Sequence, residues 1–303
     1  MMTDFNLTQL FKRPQYGLLA ILACLSGIHL AIVWRTGDIA YFGMSILFLL
    51  AAATLIWENH PNFIYRHDPT ASLTGIGMIG WVLWQSFAIT NDQQLELRLF
   101  PLVSALAVAL LASGFQGLLQ YRRELAIMFF LGVPNILLNL VDIAPLTASF
   151  ATMLLSQAGF AASHQDVWIT SSAGTIEVYR DCSGMEGATY LLGIAVVCLT
   201  LYPVRRAKQI VALLAAALIG FTVNGVRVAI MATLAAPQNQ PAFLYWHEGD
   251  GSLLFGVLAV VLFSGFYWIL HRLEMWQCSK IARFQQRQYE IEHEVEQRRH
   301  EPM

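Results

Sequence analysis

Residues 209–235 read QIVALLAAALIGFTVNGVRVAIMATLA, an apolar run interrupted by a single charge, Arg227. About 20 apolar residues are enough for a helix to cross the ~30 Å hydrocarbon core of a bilayer. This segment is therefore read as a membrane-spanning helix that carries an arginine. Seven more such runs stand along the chain: roughly Tyr16–Trp34, Ile39–Trp57, Ser72–Thr90, Leu99–Gln120, Leu125–Val141, Gly187–Tyr202 and Ser252–His271. The composition agrees. Of 303 residues, 56% are hydrophobic and 13% charged, with a mean hydropathy of +0.54. A soluble domain carries about 25% charged residues. The net charge of −2 says nothing about nucleic acid, and no basic run outside the loops suggests it as a partner.

Charge predicts the orientation. With the N-terminus in the cytoplasm, the inner segments hold 14 of the 18 Lys and Arg, among them Lys12, Arg13, Arg122, Arg123, Arg205, Arg206 and Lys208. The outer segments hold Arg35, Arg98 and Arg180, and Arg227 is embedded. A bias of this size in short loops sets topology. The sequence thus predicts an all-α, polytopic membrane bundle of about eight transmembrane helices. Both termini are cytoplasmic, and a small outer-face segment precedes the sixth span. Residues 1–271 form the membrane domain and 272–303 a polar, partly helical cytoplasmic tail. The first span is too long for the apolar core of a cleaved leader and lacks a small-residue cleavage pattern.

The outer segment, Asp142–Cys182, contains two readable pieces. Pro145 opens a helical stretch, Leu146–Phe160. Two β-prone runs, Val167–Ile169 and Ile176–Tyr179, flank the small-residue turn 171–175 and predict a hairpin that leads into Cys182.

Three polar spots fall at the outer ends of spans. Cys182 is the one cysteine on that side, with no disulfide partner predicted there, and Ser183 followed by Glu186 reads as a capping box. Ser183 is then the predicted N-cap of the sixth span, and the helix N-terminus beside Cys182 favours a thiolate. Arg227 lies 18 residues, about 27 Å, beyond Gln209, with Asn224 one turn earlier on the same face. His247 precedes the eighth span. Each has a plain alternative: a common cap, a snorkelling arginine, an interfacial anchor. Together they supply a nucleophile (Cys182), an oxyanion partner (Arg227) and a proton shuttle (His247), which is the chemistry of thiol-based acyl transfer. No cofactor is implied, and Cys182 with His247 are too few ligands for a metal site.

The chain resembles the exosortase/archaeosortase family of membrane cysteine transpeptidases. Cys182-Ser183-Gly184, Asn224-x-x-Arg227 and His247 before the last span carry the resemblance. Glu177-Val178-Tyr179 and Tyr245 through Ser252 look most like its cyanobacterial branch, the cyanoexosortases. The resemblance implies a substrate: an exported protein with a C-terminal sorting signal, cut at the outer face of the plasma membrane and passed to a surface acceptor. Archaeal members carry Arg where this chain has His247, which leaves open whether Arg227 or His247 donates the proton. The rival reading is a transporter or scaffold for polysaccharide or protein export, and it predicts polar or broken helices near the midplane.

Overall fold

A computed structural model describes residues 14–89, 95–138, 141–247 and 249–300. Lys12, Arg13 and Thr90 of the topology argument, and Glu248, lie outside them. The molecule is an all-α membrane bundle: α1 (Pro14–Thr36), α2 (Ile39–Asn59), α3 (Pro69–Ala88), α4 (Leu95–Gly117), α5 (Arg122–Leu138), α6 (Ala144–Gln157), α7 (Met185–Leu201), α8 (Arg206–Thr233), α9 (Gln240–His247) and α10 (Asp250–His300). Among the described residues, five helical stretches are long and apolar enough to cross a membrane: Gln15–Thr36, Ile39–Asn62, Leu95–Ile136, Arg206–Thr233 and Gly251–Glu290. The third of these holds both α4 and α5, joined by the tight turn Leu118–Tyr121. Helix α7, Met185–Leu201, is apolar and shorter.

Local chemistry explains several helix starts. Asp38 caps α2 by accepting from the Tyr41 amide at 2.8 Å. Asp68 accepts from the Thr70 and Ala71 amides ahead of α3, where Pro69 opens the helix with a preset φ. The main core gathers Phe48, Leu55, Phe100, Ile127, Leu191 and Phe263, all fully buried or nearly so. Where α5 passes α4, Gly132 leaves no room for a Cβ against the Arg98 carbonyl, so the two backbones touch.

The segment between α5 and α7 forms a separate small layer. Helix α6 starts one residue before Pro145 and lays Ala144, Ala148 and Ala151 against its neighbours. Residues this small let helices approach closely. The predicted hairpin is present as β2 (Trp168–Ser171) and β3 (Gly174–Glu177), with Ile169 opposite Ile176. A third strand unforeseen in the sequence, β1 (Ala162–Gln165), pairs antiparallel with β2, giving the order β1-β2-β3. Ile169, Val178, Val228 and Met231 join α6 in a second apolar cluster that fixes this layer onto α8.

Candidate active site

The chain leaves β3 through Val178, whose amide donates to the Val167 carbonyl at 2.9 Å, and turns once as a 3-10 helix over Arg180–Cys182. Gly184 then takes φ +89°, the left-handed region where a side chain is strained. A Cβ there would sit 2.6 Å from the Asn224 amide. A glycine between Cys182 and α7 is thus required twice over, by backbone and by space. Cys182 is 8% exposed, and Ser183 and Asn224 are buried.

Asn224 and Arg227, three apart on α8, face this turn together. Asn224 Nδ2 donates to the Cys182 carbonyl at 2.9 Å, while its Oδ1 accepts from Arg227 Nη1 at 3.4 Å. Arg227 then closes the last turn of α9: Nε donates to the Trp246 carbonyl at 3.1 Å and Nη2 to the His247 carbonyl at 2.7 Å. A helix C-terminus leaves carbonyls without partners and carries partial negative charge, so a guanidinium is well matched to it. His247, held from behind, stacks on Phe243 with centroids 5.5 Å apart and rings 16° from parallel. Its Nε2 lies 3.0 Å from Cys182 Sγ. Residues from the turn before α7, from α8 and from α9 therefore meet at one point, and the meeting atoms are a thiol and an imidazole.

A thiol at hydrogen-bond distance from an imidazole can pass it a proton and become a nucleophile. The guanidinium has five N–H groups, and three are engaged as described. Its main visible work is to hold His247, a role that sequence reasoning did not assign to it.

Two supporting residues stand otherwise than predicted. Ser183 is not the N-cap of α7; Gly184 occupies that position. Ser183 has helical angles, φ −65° and ψ −17°, as the end of the 3-10 turn, whereas a cap residue needs a backbone outside the right-handed helical region. Its hydroxyl accepts a long bond, 3.4 Å, from the Met185 amide. Glu186 does not reach back to close a capping box. Its carboxylate accepts from Arg98 Nη2 at 3.0 Å, Tyr190 OH at 2.8 Å and Asn135 Nδ2 at 3.4 Å. Arg98 explains the choice. Counted in the sequence as an outer-loop charge, it lies within α4 at 7% exposure, over the Tyr41 ring at 4.0 Å and 3.6 Å from Asp38. A buried guanidinium requires anionic partners more than an amide at a helix end does. Sequence reasoning also missed Thr147 of α6, whose hydroxyl donates to the Ser183 carbonyl at 2.8 Å. Nothing in its sequence surroundings marks it.

The family model for transmembrane exosortases (Exosortase_EpsH) matches residues 34–264, well over half of the chain. The chain belongs to the transmembrane exosortase family. Exosortases are membrane proteases and transpeptidases that process sorting signals. The matched stretch of this exosortase contains Cys182, Asn224, Arg227 and His247 and ends within α10, before the polar extension. No curated protein and no solved structure matches it.

Proposed function

We propose that this exosortase is a cysteine transpeptidase, and that Cys182, His247 and Arg227 carry the reaction. The observation that supports the reading best is the 3.0 Å approach of Cys182 Sγ to His247 Nε2. In the proposed sequence the Cys182 proton passes to His247, and Sγ attacks the scissile carbonyl. The tetrahedral oxyanion forms beside the free N–H groups at the start of α7 and those Arg227 has left over. Collapse breaks the peptide C–N bond, and His247 returns the proton to the departing amine. An acyl-thioester remains on Cys182. An acceptor nucleophile, deprotonated by His247, then displaces the thiolate and releases the protein.

In the same reading the substrates are exported proteins with a C-terminal sorting signal. The eight predicted spans put both termini in the cytoplasm and Cys182 at the outer face of the plasma membrane, and the chain falls in the cyanobacterial branch. Co-expression with an exported reporter bearing such a signal tests this. Wild type should shorten the reporter, and Cys182→Ala should leave it intact. A thioester trapped on Cys182 would identify the nucleophile. If correctly inserted reporters remain uncut by wild type, the transporter or scaffold reading takes its place.

A further inference from the structure

Helix α10 is 51 residues long, about 77 Å at 1.5 Å per residue. Its first part packs on the bundle through Phe263 and Tyr267, both buried. The last contacts with the bundle are Glu274, which bridges Arg205 at 2.9 Å and Lys208 at 2.7 Å, and Gln277, which accepts from Lys208 at 3.0 Å. Beyond them the helix continues to His300, and every side chain from Cys278 to Glu290 is exposed.

This free stretch is patterned. Ile281, Phe284, Gln288, Ile291 and Val295 follow one another at spacings of 3, 4, 3 and 4, the a and d positions of consecutive heptads. Ile281 and Phe284 are 46% and 64% exposed, which is costly for an apolar stripe that nothing covers. Gln286 and Glu290, on the opposite side, bond to each other at 3.1 Å, as solvated positions do. A heptad stripe turns by ~20° per repeat around a straight helix. Two to three heptads beyond Tyr267, at Ile281 and Gln288, the drift is about 40–60°, and both side chains are exposed.

We propose that the free part of α10 pairs with α10 of a second copy of this chain as a parallel two-stranded coiled coil. Two copies inserted the same way in one membrane extend α10 from the same side, so a parallel arrangement is imposed. Charge complementarity selects the partner. In a parallel in-register pair, each g residue faces the e residue of the next heptad on the other helix. Here g is Arg287 and the facing e is Glu292; the next g is Glu294 and the facing e is Arg299. Both pairs are attractive and each occurs twice by symmetry. Gln288, polar at an a position, favours one register over slipped ones. Confinement to one membrane raises the effective concentration and offsets the shortness of the coil. This inference does not depend on the catalytic reading.

The test uses the full-length protein with Cys24, Cys198 and Cys278 replaced by Ser. Gln288→Cys, at a, should give a disulfide-linked dimer in membranes under mild oxidation, while Gln286→Cys, at f, should not. On the Gln288→Cys chain, Arg287→Glu should abolish the crosslink, and Arg287→Glu with Glu292→Arg should restore it. No crosslink at Gln288→Cys, or equal crosslinking at both positions, overturns the proposal. So does failure of the double reversal to restore it. A protein that stays monomeric in nanodiscs leaves the stripe to a different partner.

Discussion

At the residue scale, the site depends on His247 keeping its place against Cys182. The imidazole has a direct chemical task, so His247→Gln should lower reporter cleavage about 10²–10⁴-fold with little change in folding. Phe243→Leu removes only the stacked ring, and its loss should be far smaller in the same assay. Arg227→Lys is the more revealing change. An ammonium is a single point charge and cannot bridge the Trp246 and His247 carbonyls and Asn224 at once. His247 would shift, and a misplacement of 1 Å costs on the order of a hundredfold in turnover. At Gly184 the expectation is structural: Ala brings a Cβ against Asn224 and strains a left-handed backbone, costing upwards of ~1 kcal/mol. Thermal unfolding in detergent, measured beside cleavage, should show both fall together. Cys182, Asn224, Arg227 and His247 were legible in the sequence because a thiol, an amide and a guanidinium one turn apart, and an imidazole are rare at span ends. The roles of Asn224 and Arg227 were less so. A motif gives spacing along one helix, but the carbonyls that Arg227 holds belong to another element 20 residues on.

At the element scale, α7 is anchored from both sides. Thr147 of α6 binds the turn before it, and Arg98 of α4 binds Glu186 in its first turn. Arg98→Leu would leave Asp38, 15% exposed, and Glu186, 46% exposed, without their cation. Only the cation's side of the Glu186 pair is buried, so the loss falls between the less than about 1 kcal/mol of an exposed pair and the roughly 3 kcal/mol of a fully buried one, and a lower unfolding temperature in detergent should report it. Activity of the fraction that remains folded should fall as well, since the turn that leads into α7 carries Cys182. The capping-box pattern misled because it is local: Ser183 and Glu186 fit it in sequence, but a cation 88 residues away competed for the carboxylate and prevailed. The hairpin was readable from its β-branched runs. Strand β1, Ala-Ser-His-Gln, has no β-branched or aromatic residue and becomes a strand only by pairing with β2.

At the scale of the whole molecule, the family match ends within α10, and beyond Gln277 the described side chains, Cys278 to Glu290, are exposed. Ending the chain after Gln277 keeps the contacts of Glu274 and Gln277 with α8, so reporter cleavage should stay within about twofold of wild type. Loss of cleavage in that truncation would mean that the extension serves the reaction. The proposed orientation has its own check: a membrane-impermeant thiol reagent added to intact cells should label a cysteine placed at the exposed Ser163 of β1 (Ser163→Cys), and the exposed Cys278 only after lysis. Apolar length made the bundle legible as a bundle. How its helices are arranged was not legible, because contacts such as Gly132 against the Arg98 backbone depend on partners far away in sequence.

That Cys182 is in no disulfide has a chemical consequence. Cys24, Cys182, Cys198 and Cys278 are all free thiols, and the group beside Cys182 Sγ is an imidazole. Once a peroxide converts such a thiol to a sulfenic acid, rescue in other proteins comes from a neighbouring cysteine that condenses with it. No cysteine of this chain is bonded to Cys182, so rescue falls to a small thiol or a backbone nitrogen, and without it continued oxidation leads to the irreversible sulfinic acid. The 92% of the Cys182 surface that the fold covers is then its main shield against oxidants.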